Sequence, residues 1–351
     1  MKKLVSLLLA AMMVISCLAA CSSSGSNEGN SQAPANNSAA VTDGEKGEGA
    51  SYQGSSGNSY ETTYKLGFCV NSMDNPVFVN WINYLTEHAP NYGFEFVYLS
   101  SDEDSAKELS NIEDLIGQGC DLIYLSAVNT DAAEAAVRRC NSEGIPVFCI
   151  DRILDVNECD VVLQACTDNY EAAKLAGYQA VEDLGEAGGK VAILRGTYGL
   201  QLEIERYEGF MSIVDQHSNI EVVTEVFADL NREMGYSATE DIIQAYPDVD
   251  IIYCENGEMA VGCCQALKAN GYKPGDFTVY GYDGSTYELE YIKEGYLAGC
   301  VFHSFNPMNE EVLRYMRMYM DGEKRVPISL RYSASWCDAE NLDDYWYVLE
   351  A

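Results

Sequence analysis

Beyond residue 62, short runs rich in Val, Ile and Tyr alternate with stretches whose apolar residues recur three and four positions apart. The first kind predicts strands and the second helices, and their alternation predicts parallel sheets flanked by helices. Ten strands are expected: Tyr64 to Val70, Phe94 to Leu99, Asp121 to Leu125, Pro146 to Ile150, Val161 to Thr167, Lys190 to Arg195, Glu221 to Phe227, Asp250 to Glu255, Phe277 to Tyr282 and Leu297 to Phe302. That number exceeds what one open sheet comfortably holds, and about 290 residues are enough for two lobes. Phe78, Ile82 and Leu85 mark one helix face, and Leu109, Ile112, Leu115 and Ile116 another. Gly119, Gly144, Gly271 and Gly295 stand where helices are expected to end in left-handed caps.

The first 62 residues follow neither pattern. Lys2 and Lys3 precede an apolar run from Leu4 to Ala20, short for a membrane span and flanked like an export signal. It ends in Leu18-Ala19-Ala20-Cys21, which resembles the bacterial lipobox, where the Cys thiol receives a diacylglyceryl group and becomes the mature N-terminus. Two acyl chains anchor stably where one binds marginally. From Ser22 to about Tyr60 the chain is Ser, Gly, Asn and Ala with almost no large aliphatic residue, a composition that buries too little apolar surface to order itself. About 40 such residues have a reach of roughly 35 Å, enough to hold a folded body clear of a lipid surface. The expected divisions are therefore 1–20 as signal and 21–62 as lipidated Cys and linker.

Charge and cysteine content narrow the partners. The net charge is −34, and losing the two signal lysines takes it to −36, which disfavours nucleic acid and anionic membrane surfaces. Of 13 cysteines, Cys17 leaves with the signal and Cys21 is acylated; an odd number remains, so not all can pair. Cys69, Cys149, Cys166, Cys254 and Cys300 sit inside strand-like runs, where a thiol behaves as a small hydrophobe. Cys263 and Cys264 are adjacent on an expected helix and do not face each other. Mostly reduced, buried thiols are expected, with one or two disulfides left open. No Cys/His spacing suits zinc.

Polar residues gather just past the strand runs: Asn71, Ser126, Asp151-Arg152, Asp168-Asn169, Asn256, Asp283 and His303. Open parallel sheets bind ligands at that edge. For Asp168 and Ser126, capping of the following helix is at least as good a reading. Asp151-Arg152 is harder to assign to capping, because it pairs a charged acceptor with a planar five-donor fork suited to neighbouring hydroxyls.

Catalytic chemistry finds little support. The three histidines, His88, His217 and His303, lie in no Ser-His-Asp or Cys-His context. No glycine-rich phosphate loop follows a strand. Most carboxylates fall on solvated helix faces or in turns, which leaves little room for a glycosidase pair. Asp229, Asn231, Glu233 and Glu240 mimic calcium-loop positions, but Met234 stands where that loop needs Gly and a helix is expected to start there. The chain is read as no enzyme, with neither cofactor nor metal.

The residues resemble the substrate-binding proteins of bacterial sugar ABC importers, of the ribose- and galactose-binding type. The likeness rests on Asn75-Pro76-Val77-Phe78, Ile145-Pro146-Val147 leading to Asp151-Arg152, Thr167-Asp168-Asn169, Arg206-Tyr207-Glu208-Gly209-Phe210, Asn256-Gly257-Glu258-Met259-Ala260 and Gly281-Tyr282-Asp283-Gly284. It runs from Tyr64 to the mid 320s. It implies an α/β fold of two Rossmann-like lobes (periplasmic binding protein type I) with three crossings between them, the N-terminal lobe from 63–167 and about 304–327, the C-terminal lobe from 168–303 and about 328–351. It also implies an interlobe ligand and hinge closure. Carried over, Asn75, Phe78, Asp151 and Arg152 bind from the first lobe, Arg206, Asn256 and Asp283 from the second, and His303 from the hinge side. Tyr282 would sandwich a ring with Phe78, Tyr198 or Trp81 filling space. Arg206 keeps its plain alternative, a surface helix residue paired with Glu203 or Glu205. Val77, Leu230 and Ser126 depart from the ribose-type pattern, so a different or larger sugar is open.

The implied function is a monomeric, lipid-anchored protein on the extracytoplasmic face of a bacterial membrane. It captures a monosaccharide, pentose or hexose, and delivers it to an ABC permease. The alternative is a sugar-sensing protein that presents its liganded form to a chemoreceptor or histidine kinase. The aromatic tail from Tyr332 onward is expected to complete the second sheet and shield an edge.

Overall fold

A computed structural model describes residues 60, 62–154 and 159–345; the signal, Cys21 and the linker up to residue 59 lie outside the described residues. The ten expected strands all form, with ends within two residues of those read from the pattern. The first five are β1 (Tyr64–Val70), β2 (Phe94–Ser100), β3 (Leu122–Leu125), β4 (Val147–Ile150) and β5 (Leu163–Thr167). The next five are β6 (Gly189–Arg195), β7 (Ile220–Phe227), β8 (Ile251–Cys254), β9 (Thr278–Asp283) and β10 (Gly299–Phe302). They build two sheets of the same winding, β5-β4-β3-β1-β2 and β10-β9-β8-β6-β7, with every pair among these strands parallel.

Nine helices cover the sheets among the described residues: α1 (Pro76–His88), α2 (Ser105–Gly117), α3 (Thr130–Ser142), α4 (Asn169–Leu184), α5 (Gln201–Val214), α6 (Arg232–Ala245), α7 (Gly257–Ala269), α8 (Thr286–Glu294) and α9 (Phe305–Met320). Their starts are written into the chain. Asn75, Asp104, Asp168, Asn231, Asn256 and Ser285 each accept a backbone N–H as N-caps. Gly119, Gly144, Gly271 and Gly295 take positive φ of +76°, +73°, +84° and +82°. Each sheet is buried on both faces by apolar clusters, Phe68, Tyr124 and Phe148 on one face of the first and Cys69, Ile123 and Cys149 on the other, Ile252, Cys254 and Val279 on one face of the second and Val191, Tyr253 and Tyr280 on the other. All eleven cysteines from Cys69 to Cys337 are buried.

Two further strands follow α9. β11 (Ser329–Tyr332) runs parallel to β5, and β12 (Ser335–Asp338) runs antiparallel to β10. The chain thus crosses between lobes after Thr167, after His303 and between Tyr332 and Ser335. The third crossing falls later than the expected boundary near 327. Ser329, Leu330, Arg331 and Tyr332 form a half-exposed edge strand, too short and too polar to announce itself as an apolar run. β12 covers the second sheet's edge, with Trp336 set edge-on to Tyr280 at 5.2 Å and Tyr345 packed on Phe302 at 4.5 Å.

α6 and α7 approach closely because glycines face each other's backbone. A Cβ at Gly262 would lie 2.2 Å from the Arg232 carbonyl oxygen, and one at Gly235 would lie 2.8 Å from the Met259 backbone. We predict that Gly262→Ala destabilises the fold by about 1–3 kcal/mol, as overpacking does. Chemical denaturation checks this; an unchanged midpoint would show that the helices can part without cost.

Candidate functional site

Parallel sheets end their strands at one edge, and here the two carboxyl edges face a common cleft of about 730 Å³. One wall is apolar. Phe78, on the buried face of α1, meets Trp81 edge-on at 5.0 Å; Trp81 packs on Phe305 at 4.3 Å, and Phe305 on His303 at 4.4 Å. Asn75 holds the start of this wall by accepting the Val77 N–H at 2.9 Å.

The floor carries two carboxylates at matching places in the two lobes: Asp151 just after β4, and Asp283 at the end of β9. Both residues have positive φ, +72° and +118°, a conformation rare for a residue with a side chain. Their surroundings differ. Asp283 receives the Gly257 N–H at 3.0 Å and the Asn256 amide at 3.2 Å, with His303 Nε2 at 3.3 Å and Arg206 Nη1 at 3.6 Å. Burial raises its pKa, but the His303 contact and the Arg206 charge outweigh that and hold the carboxyl below its ordinary range. Asp151 has no side-chain hydrogen bond among the described residues, and burial pushes its pKa up against the pull of Arg152, Arg206 and His303.

Arg206 is buried and faces the cleft, so the surface-pair alternative fails; Glu203 instead pairs with Arg195, and Glu205 lies 3.5 Å from Arg331. Its Nε donates to Asn169 Oδ1 at 3.0 Å and its Nη1 to the Glu255 carbonyl at 2.6 Å. Tyr282 does not line the cleft, contrary to expectation. It is fully buried behind Arg206, 3.7 Å from guanidinium to ring centroid, and donates to the same Asn169 oxygen at 3.0 Å. Alternation along β9 turns Tyr282 to the opposite face from Asp283, so it supports the arginine instead of a ligand.

Arg152 lines the cleft with both Nη atoms committed, while its Nε has no hydrogen-bond partner among the described residues. Nη1 donates to the carbonyls of Ala127, at 3.0 Å, and Val128, and both Nη atoms reach Glu103 at 3.2 and 3.3 Å. It therefore braces the loop after β3 instead of offering a free two-pronged donor. The remaining expected residues, Asn75, Phe78, Asp151, Arg206, Asn256, Asp283 and His303, come together on the cleft walls. Tyr198 projects into solvent, 82% exposed. Sequence reasoning missed Glu103, Arg232, Glu258 and Tyr287, which also line the cleft. Arg232 is clamped by Glu258 at 2.8 and 2.9 Å and lies over the Tyr287 ring. The calcium-loop residue Glu233 belongs to α6, and no group of three or more candidate metal ligands exists among the described residues.

The family described as the periplasmic binding protein domain matches residues 66–324. The chain belongs to this family. It is a family of binding proteins, not enzymes. The chain is 33% identical over 246 residues to the ribose import binding protein RbsB of Bacillus subtilis, covering 70% of this chain and 77% of that protein. It is also 33% identical over 215 residues to the D-apiose import binding protein of Paraburkholderia graminis, covering 61% and 67%. An ABC transporter solute binding protein from Bacillus halodurans with bound myo-inositol shares the fold at a TM-score of 0.74 and 24% identity, over 84% of this chain and 100% of that one.

A buried carboxyl underpins the second lobe of this periplasmic binding protein. Glu255 accepts the Gly196 N–H at 2.8 Å, and burial raises its pKa from 4.5 to about 8. A carboxyl whose folded pKa is raised stabilises the fold fully below its ordinary pKa and loses that contribution as pH climbs through the folded value. Between pH 5 and 8 the wild type should therefore lose stability relative to Glu255→Gln, which keeps an acceptor and never ionises. Thermal melts of the pair across pH check this; a constant difference in Tm would contradict it.

Proposed function

We propose that this protein captures a sugar in the interlobe cleft, with a pentose or hexose ring on the floor between Asp151 and Asp283, and hands it to an ABC importer. The observation that carries this reading is Asp151: a carboxyl facing the cleft with no side-chain hydrogen bond among the described residues, opposite a carboxylate that is fully served. A half-buried acceptor of that kind calls for ligand donors, and neighbouring sugar hydroxyls supply them. Arg206 and Asn256 complement it as donors, and the Phe78, Trp81 and Phe305 wall suits the C–H face of a ring. The import binding proteins of ribose and apiose among the relatives agree with this chemistry.

The cleft also selects by charge. Arg152, Arg206 and Arg232 each have an acidic partner, while Asp74, Asp151, Asp229 and Glu233 line the same walls without an ion pair among the described residues. The lining is accordingly net acidic, which disfavours an anionic ligand and leaves neutral sugars as the class that fits the relatives. The residues around Cys21 support a diacylglyceryl anchor, which would hold the binder beside the membrane partner on the outer face.

A thermal-shift screen tests this, since a ligand bound only to the native state raises Tm by mass action. Neutral pentoses or hexoses are expected to raise Tm and to alter Trp81 fluorescence, whereas uronic acids and sugar phosphates leave both unchanged. Silence across the neutral sugars, or a response to the acidic ones, would overturn the reading. Asp151→Asn should weaken the responding sugar at least about tenfold, the loss of one hydrogen bond to a charged acceptor, without lowering Tm of the free protein.

A further inference from the structure

The binding cleft does not stop at the sugar ring. A second cavity of about 180 Å³ lies against it, and Val77, Trp81, Asp283, His303 and Phe305 line both. We propose that this cavity is a second sugar subsite, so that the ligand is a glycoside of at least two units, the first on the Asp151–Asp283 floor and the second beyond Val77; this rests on the sugar-binding reading above.

Three features of the second cavity fit a neutral, polyhydroxylated ring. Its volume equals roughly six water molecules, below the range for drug-sized ligands and suited to one ring. Its walls carry the primary amides of Asn80 and Asn83 from α1 and Asn306 from α9, none of which makes a side-chain hydrogen bond among the described residues. Each amide offers two donors and an acceptor, the pairing that vicinal hydroxyls take. Tyr84 adds an aromatic surface held in place by stacking with His88 at 4.1 Å and by donating to Glu310 at 2.6 Å.

The cavity is also an interlobe feature. Asn80 and Tyr84 come from the first lobe, while Gly284, Ser285 and Phe302 come from the second. A unit seated there touches both sides of the hinge, so its binding energy is coupled to lobe closure in the same way as that of the first ring. The shared wall gives the glycosidic link its place: Val77 is the smallest apolar side chain on the partition and is only partly buried.

Calorimetric titration of the full chain with matched pairs tests this: D-xylose and xylobiose, D-glucose with maltose and cellobiose, D-galactose and lactose. At least one disaccharide is expected to bind tenfold or more tightly than each of its component monosaccharides. The double variant Asn80→Ala, Asn306→Ala should reduce that advantage at least fivefold while leaving the monosaccharide affinity and Tm unchanged. Disaccharides that bind no better than their components, or a double variant that weakens both classes by the same factor, would overturn the second subsite while leaving the first intact. Absence of any sugar binding would instead remove the sugar reading itself, and the subsite with it.

Discussion

The site depends on one buried charge arrangement, the Asp283 carboxylate and the four groups that converge on it. A carboxylate removed from water is costly unless paired and hydrogen-bonded, and leaving one unpaired costs about 3–5 kcal/mol. Asp283 meets that demand with the Gly257 amide, Asn256, His303 and Arg206. The same contacts reach outward. His303 Nδ1 lies 2.7 Å from Thr167 Oγ1, so the first and second crossings between lobes are joined through the ring that touches Asp283. Arg206 is seated on Tyr282 and tied to Asn169 at the start of α4. Cleft floor and hinge are thus one hydrogen-bonded unit, and a ligand that engages Asp283 and Arg206 acts directly on the segments that bend.

The pairing of the second-lobe carboxylate leaves the first-lobe one as the open valence of the cleft. The two lobes repeat one winding, and Asp151 and Asp283 stand at equivalent strand ends with the same unusual backbone sign. Backbone strain of about 1–3 kcal/mol persists where surrounding structure fixes it, often at ligand-binding positions. What differs is the company. Arg152 turns away to brace Val128 and Glu103, while Arg206 turns in toward Asp283. A symmetric scaffold therefore presents an asymmetric site, served on one side and receptive on the other.

Much of this was legible because burial leaves a periodic mark. Strands covered on both faces read as apolar runs, and Gly119, Gly144, Gly271 and Gly295 mark helix ends. β11 left no such mark, since an edge strand of alternating exposure resembles a turn. The errors at the site share one cause: sequence spacing tells which residues stand at an edge, not what their side chains have already bonded. Arg152 looked like a free fork, and its two Nη atoms are committed while Nε is not; Tyr282 looked like a ring platform and supports the arginine. Glu103, the brace for Arg152, sits in a left-handed pair with Asp102, at φ +56° and +50°, that no local motif signalled.

The central claim is that Asp151 waits for ligand hydroxyls across from a satisfied Asp283. A crystal structure of the complex with the sugar that gives the largest thermal stabilisation tests it most directly. The account predicts ring hydroxyls within about 2.5–3.0 Å of both Asp151 carboxylate oxygens, with the Asp283–His303 contact retained. A sugar seated elsewhere in the cleft, with Asp151 still bonded only to water, would contradict it.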